Sequence, residues 1–218
     1  MITRPTPPAP TRHPAVFLDR DGTVIEEVAY LDRIERMQVY PWSVEAISSL
    51  NLAGFRVVLI TNQSGVARGY FDERFVRRTH RALDRTLRAS GARIDGYYYC
   101  PHHPEAGTGA LTRSCDCRKP GTRLVHQAAS DLHLDLSRSV VIGDRWLDLQ
   151  LAHAVGARGI LVRTGHGARE EASPLAGVKA AAVVDDLRAA AVWIRTRGRL
   201  EPGQSETPTS SHTVEEAA

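Results

Sequence analysis

Two aspartates, Asp19 and Asp21, stand two residues apart at the end of a short apolar run, residues 15–18. Such a pair can hold a hard cation, and one carboxylate can attack as a nucleophile while the other handles protons. Taken alone, the sequence Asp-x-Asp-Gly is more often an acidic turn. Three later segments of the chain favour the chemical interpretation.

Polar side chains also follow two further apolar runs. Thr61 and Asn62 come after the second run, and a hydroxyl followed by backbone amides can cradle phosphate oxygens. Asp144 comes after the fourth run, and Asp148 lies one helical turn further along, so both carboxylates can face the same opening. Taken singly, the first pair is typical of a turn and Asp144 of a helix cap.

A lysine, Lys119, stands between Arg118 and Pro120, just before a predicted helix. A lysine fixed at a phosphate site would offset charge on a transferring phosphoryl group, whereas in isolation the segment is a solvated basic turn. The ordinary interpretations do not explain why all four polar segments fall at strand ends or at the start of a helix. Their common placement therefore predicts one site.

Apolar runs alternate with amphipathic helical patterns, which predicts a Rossmann-like α/β fold: a mostly parallel sheet with helices on both faces. Strands are predicted at residues 15–19, 56–61, 96–100, 139–143, 158–162 and 181–184. Helices are predicted at 43–53, 72–89, 121–132, 145–155 and 186–197. Ligands bind beyond the carboxyl ends of the strands in such sheets, which is where the polar segments lie.

Single residues predict where helices begin and end. Asp72 is a good N-cap for the helix at 72–89, and the glycines Gly54, Gly91 and Gly156 are expected just after helix ends. The stretch between the first two predicted strands leaves no room for a large cap domain. The predicted organisation is a disordered leader at 1–13, a single domain at 14–198 and a disordered tail at 199–218.

The composition is that of an ordinary soluble protein, with 42% hydrophobic and 24% charged residues and a net charge of +3. This charge is too small to indicate nucleic-acid binding. No apolar run approaches the length of a membrane-spanning helix, and the start of the chain does not read as a signal peptide. We expect a cytoplasmic monomer without nucleic-acid or membrane partners.

The three cysteines fall within one short segment and indicate a metal site. The Cys₃His set of a closed tetrahedral zinc site would be Cys100, His102, Cys115 and Cys117. His103 is an alternative ligand, but the spacing of His102 mirrors that of the Cys-x-Cys half. Since the set leaves no open position, Zn²⁺ is predicted to have a structural role and to order the loop at 100–118.

The four polar segments together resemble the motifs of the haloacid dehalogenase superfamily, whose members are mostly phosphatases. The matching sequences, in order, are Asp19-Arg20-Asp21-Gly22-Thr23, Thr61-Asn62, Lys119-Pro120 and Gly143-Asp144-x₃-Asp148. The resemblance implies that Asp19 attacks phosphorus and that Asp21 protonates the leaving oxygen and then activates water. It further implies Mg²⁺ bound by Asp19, the Asp21 carbonyl and Asp144, with Asp148 in support, and phosphoryl oxygens held by Thr61, Asn62 and Lys119.

With its cysteine-rich loop, the chain resembles one subgroup: D-glycero-D-manno-heptose 1,7-bisphosphate 7-phosphatases and histidinol-phosphate phosphatases. The stretch Ser64-Gly65-Val66-Ala67-Arg68-Gly69 is similar to the heptose branch, which implies a small phosphorylated sugar as substrate. Arg68 and Arg118 would contact its second phosphate. The remaining expected substrate contacts are Arg20, Glu27, Tyr30, Asn62, Gln63, Ser64 and Arg145.

Three alternatives remain at this point. Histidinol phosphate would use the same chemistry, and a nucleic-acid 3′-phosphatase is a weaker enzymatic rival. A non-enzymatic, zinc-stabilised binding module is the alternative from another class, but it has no physical need for all the catalytic groups. Departures from the relatives at Ile25, Glu27 and residues 121–124 leave the sugar and its anomer open.

Overall fold

The computed structural model describes residues 11–107 and 109–197, and six strands in it form one parallel sheet. The strands are β1 (His13–Leu18), β2 (Arg56–Asn62), β3 (Gly96–Cys100), β4 (Leu134–Gly143), β5 (Arg158–Val162) and β6 (Ala182–Val184). Their order is β3-β2-β1-β4-β5-β6, and all five pairings are parallel. The predicted fold class is confirmed.

Helices cover both faces of this sheet. They are α1 (Ser43–Leu52), α2 (Glu73–Ala89), α3 (Arg123–Asp131), α4 (Trp146–Ala154), α5 (Gly167–Glu171) and α6 (Leu187–Arg197), with a 3₁₀ turn at Ile34–Arg36. One core contains side chains of α1, α2 and α6, and the other contains side chains of α3 and α4. Among the described residues, no helix combines the length and apolarity needed to cross a membrane.

The central strand β1 supplies both cores, because successive side chains of a strand point to opposite faces. Val16 and Leu18 belong to the first core, and Ala15 and Phe17 belong to the second. All four side chains are fully buried. This explains why the strand appears in the sequence as a continuous apolar run rather than as an alternating one.

The predicted helix signals act as expected. The Asp72 carboxylate caps α2 by accepting the Phe75 N–H at 2.7 Å. The three glycines expected after helix ends have φ angles of +87°, +79° and +71°, at Gly54, Gly91 and Gly156. These are left-handed conformations that glycine adopts without steric cost, which is why each helix ends there.

Some boundaries differ from the prediction. Strand β1 begins at His13, which pairs with Leu134, so the last residue of the expected leader belongs to the sheet. Strand β4 begins at Leu134 rather than at 139. The sequence did not indicate its first half because that half is partly exposed and lacks a continuous apolar run. The five-residue helix α5 was not predicted. Most of the expected leader (1–10) and the whole expected tail lie outside the described residues.

The strand order places the predicted polar segments side by side. Strand β1 lies between β2 and β4, so the chain turns to opposite sides of β1 as the sheet grows. Such a switch point opens a crevice at the carboxyl ends of the strands, where ligands bind in α/β sheets. Asp19, Thr61 and Asp144 lie at these three neighbouring strand ends.

Candidate active site

A buried lysine joins two of the predicted acids. The Lys119 ammonium donates to Asp19 Oδ1 at 2.6 Å and lies 2.6 Å from Asp148 Oδ1. Burial alone would lower the pKa of Lys119, but the charges of Asp148 and Asp19 outweigh it and raise the pKa above its usual value. Lys119 is therefore a permanent cation beside the predicted nucleophile.

Three carboxylates surround that single cation. Ligand atoms of Asp19, Asp144 and Asp148 all lie within 4.8 Å of one another. Burial and the charge of Asp19 raise the pKa of Asp144 to about 8, and burial also raises the pKa of Asp148. One lysine leaves this group with excess negative charge, and carboxylate oxygens are the donors that Mg²⁺ prefers. The residues present thus fit a divalent cation, with Asp148 shared between it and Lys119.

Two glycines make room for Asp144. A Cβ atom at Gly22 or Gly165 would lie 2.3 Å from Asp144 Oδ2, and both glycines have positive φ. The same oxygen accepts the main-chain N–H of His166 at 2.8 Å. The backbone therefore closes around this carboxylate and fixes its orientation.

The predicted acid/base, Asp21, is held by two neighbours. Arg20 donates to Asp21 Oδ1 from Nε and from Nη2, at 3.1 and 2.9 Å. Gln63 donates to Asp21 Oδ2 at 3.0 Å and to the Thr61 hydroxyl at 2.9 Å, and its carbonyl accepts from Arg20 at 2.9 Å. Arg20 and Gln63 are almost completely buried. Their contacts orient the predicted catalytic groups. The sequence had predicted Arg20 and Gln63 only as substrate contacts, not as positioning residues.

Asn62 also has a positioning contact that the sequence did not indicate. Its side-chain carbonyl accepts the Lys119 N–H at 3.0 Å, and its amide donates to the Lys119 carbonyl at 3.2 Å. Both ends of the amide are thus used to join β2 to the lysine loop. The predicted contact of Asn62 with phosphoryl oxygens stays a prediction.

A cavity of about 410 Å³ opens at this edge of the sheet. The predicted catalytic groups Asp19, Asp21, Thr61, Lys119, Asp144 and Asp148 line it, as do the expected substrate contacts Arg20, Glu27, Tyr30, Asn62, Gln63, Ser64, Arg68, Arg118 and Arg145. Two histidines, His103 and His166, also line it and were not predicted as pocket residues. The structure therefore brings every predicted active-site residue to one pocket.

One part of this pocket presents hydrogen-bond donors without an acceptor. His103 Nδ1 accepts the N–H groups of Glu105 and Ala106, at 3.1 and 2.8 Å, which places the proton of the neutral ring on Nε2. That Nε2 faces Arg68 Nη2 at 3.3 Å. Both groups are donors, so neither can accept a hydrogen bond from the other. Arg68 Nε also has no hydrogen-bond partner among the described residues.

Arg68 and Arg118 each have a supporting contact. The Arg68 guanidinium lies 5.8 Å from the centre of the Tyr30 ring, and Arg118 donates to the His102 carbonyl at 3.3 Å. Burial and the two arginines lower the pKa of His103, so the ring stays neutral near pH 7. These three side chains form a basic subsite that could bind an anion.

The predicted metal ligands meet next to this subsite. The three cysteine sulfurs lie 3.2–3.5 Å apart, and His102 Nδ1 lies 3.3 Å from Cys117 Sγ and 3.6 Å from Cys100 Sγ. Zn–S and Zn–N bonds of about 2.3 and 2.0 Å give tetrahedron edges of roughly 3.5–3.8 Å. The four ligand atoms thus fit around one ion. His102 belongs to the group, whereas His103 points into the pocket.

Comparisons with known proteins give matches to a hydrolase family. A family model described as HAD-hydrolase-like matches residues 116–190. The D-glycero-D-manno-heptose-1,7-bisphosphate 7-phosphatase of Thermosynechococcus vestitus is 44% identical over 188 residues, which are 84% of this chain and 96% of that protein. The D-glycero-beta-D-manno-heptose-1,7-bisphosphate 7-phosphatase of Photorhabdus laumondii is 41% identical over 167 residues, 76% and 88% of the two chains.

A solved structure agrees with these matches. The D,D-heptose 1,7-bisphosphate phosphatase from B. bronchiseptica, complexed with magnesium and phosphate, has a TM-score of 0.74 and 34% sequence identity. The similarity covers 84% of this chain and 98% of that one.

Proposed function

Because the chain belongs to the haloacid dehalogenase-like hydrolases, in the family of the D-glycero-D-manno-heptose-1,7-bisphosphate 7-phosphatases, we propose that it is a phosphatase that removes the 7-phosphate of a heptose 1,7-bisphosphate. The observation that carries the proposal is the Asp19–Lys119 pair in the pocket, with Asp21 held beside it. The names of the relatives do not favour the alternative substrate, histidinol phosphate.

The side chains divide the reaction between them. An Asp19 oxygen attacks phosphorus and forms an aspartyl-phosphate while the bond to the sugar oxygen breaks. Asp21 gives its proton to that oxygen, then takes a proton from the water that cleaves the aspartyl-phosphate and releases phosphate. The Lys119 ammonium offsets the negative charge on the phosphoryl oxygens, and the Thr61 hydroxyl donates a hydrogen bond to them.

Magnesium would be held by Asp19, Asp144 and the Asp21 carbonyl, with Asp148 in support. It would supply a positive charge that lets the phosphate dianion approach the carboxylates. The magnesium in the structure of the B. bronchiseptica relative supports this choice of metal.

The basic subsite supports a substrate with two phosphates. Arg68 and the His103 Nε2–H are neighbouring donors, and one anionic oxygen that bridges them would accept a hydrogen bond from each. Arg118 would add a second guanidinium, and planar guanidinium groups bind phosphate well. A histidinol monophosphate has no second phosphate for this subsite.

The test is phosphate release from heptose 1,7-bisphosphate, heptose 7-phosphate and histidinol phosphate. We expect Arg68→Ala to lower kcat/KM about 10–100-fold for the bisphosphate, since charged hydrogen bonds are lost, and by less than threefold for the 7-phosphate. Arg81→Ala, at an exposed arginine on α2, is the matched control and should change neither value. A tenfold higher wild-type kcat/KM for histidinol phosphate would overturn the proposed substrate.

Zinc is proposed for the Cys₃His group as a structural ion, on the ligand type and the tetrahedral spacing of the four atoms. A monomer that acts in the cytoplasm without nucleic-acid or membrane partners remains a prediction.

A further inference from the structure

A second group of pocket side chains has a different chemistry from the basic subsite. His166 Nε2 lies 3.7 Å from Glu27 Oε2. The two side chains are 36% and 22% exposed, and both line the pocket. Nothing in the proposed catalytic steps uses His166.

The backbone around this pair is already organised. Glu27 Oε1 accepts the Ala29 N–H across a turn in which Ala29 has a φ of +61°, and Oε2 is left toward His166. The His166 main-chain N–H is held by Asp144, and the neighbouring Thr164 hydroxyl donates to the Gly22 carbonyl. Both side chains therefore meet a ligand without prior rearrangement of their loops.

The pair lies beside the carboxylates of the proposed active site. Ligand atoms of Glu27, Asp144 and His166 lie within 4.8 Å of one another, so the pair is adjacent to the carboxylates that would hold magnesium. Glu27 and Asp21 line the same pocket. The oxygen that Asp21 protonates carries the sugar, so the sugar chain would lie in the pocket that this pair lines.

We propose that His166, together with the already expected contact Glu27, binds hydroxyl groups of the sugar beside the departing oxygen and so selects polyhydroxylated phosphate esters. A carboxylate accepts from O–H, and a neutral imidazole can donate with one nitrogen and accept with the other. The negative charge of Glu27 would repel a phosphate, which leaves the second phosphate to the Arg68 subsite. This inference rests on the proposed function and extends it to the leaving group.

The test compares two substrates that differ in the leaving group, heptose 1,7-bisphosphate and p-nitrophenyl phosphate. Substitution of His166 keeps the main-chain N–H that Asp144 accepts, so His166→Ala removes only the imidazole. We expect His166→Ala and Glu27→Gln to lower kcat/KM about tenfold or more for the heptose ester, chiefly through KM. For p-nitrophenyl phosphate, which has no vicinal hydroxyls, we expect a change of less than threefold.

The matched control is Arg169→Ala, at an exposed residue on the short helix α5 that follows His166, and it should leave the rates on both substrates unaffected. An equal loss on both substrates, or a shift in the Mg²⁺ concentration for half-maximal rate, would overturn the inference, because the pair would then support Asp144 or a cation. A wild-type protein that hydrolyses p-nitrophenyl phosphate but no heptose bisphosphate would instead refute the proposed substrate. In that case the same variants are compared on the sugar phosphate that is hydrolysed fastest.

Discussion

At the scale of single residues, the site holds more negative charge than its lysine can neutralise, and Asp144 carries the consequence. Burial and the neighbouring Asp19 raise the pKa of Asp144 to about 8 without metal. A carboxylic acid must lose its proton to bind Mg²⁺, so protons compete with the metal below that pH. We expect calorimetry to show Mg²⁺ affinity rising by up to about tenfold per unit between pH 6 and pH 8, then levelling.

The same titration should release protons into the buffer at pH 7 and almost none at pH 9. Asp144→Asn is the control variant, because it removes the titrating group together with a ligand and should bind Mg²⁺ weakly at every pH. An affinity that does not change between pH 6 and pH 8 would contradict the raised pKa of Asp144.

The sequence predicted which residues meet here, but only some of their contacts. Asp19, Asp21, Lys119 and Asp144 could be identified because each follows a strand or precedes a helix. The roles of His103 and His166 could not, since each depends on a partner from a distant part of the chain, Arg68 and Glu27 respectively. A spacing pattern carries no information about such pairs.

At the scale of elements, the amide of Asn62 joins the end of β2 to the loop that carries Lys119. Asn62→Ala removes two hydrogen bonds, so we expect a loss of about 1–2 kcal/mol in the free energy of unfolding. Because Lys119 then loses its anchor, kcat should also fall tenfold or more. Chemical denaturation and steady-state kinetics measure the two effects separately.

The chain contains a matched control for this variant. Asn51 makes the same two-bond contact with the main chain of Arg93, with distances of 2.8 and 3.0 Å, on the outside of the molecule. Asn51→Ala should cost a similar amount of stability and leave kcat unchanged. If both variants lowered kcat equally, the loss in Asn62→Ala would reflect general destabilisation rather than the position of Lys119.

Element type was predictable wherever apolar periodicity was strong, and boundaries were less so. Helix α2 has a cap at Asp72 and a continuous buried stripe, and both its ends were predicted to within a residue. Helix α5 is only five residues long and buries one glycine, so it has no periodic pattern to detect. Its position depends on Asp144, which accepts the N–H at its start.

At the scale of the whole molecule, the topology joins two distant features, the switch point of the sheet and the cysteine-rich loop. Strand β3 ends at Cys100 and pairs with β2 at Asn62, so the proposed zinc site begins next to the strand ends of the candidate active site. The loop returns through Cys117 directly into Arg118 and Lys119. Folding of this loop and the geometry of the proposed phosphate sites are therefore coupled through the chain itself.

This coupling predicts what metal removal does. Cys115→Ser removes one of four ligands, so zinc should fall below one tenth of an equivalent by elemental analysis. The parallel sheet has two cores of its own, so far-ultraviolet circular dichroism should change little. Arg118 and Lys119 would lose their support, and kcat/KM for the bisphosphate should fall tenfold or more. The control is Ser114→Ala at the exposed neighbouring position, which should retain zinc and full activity. If Cys115→Ser lost zinc but kept full activity, the loop and the site would be independent.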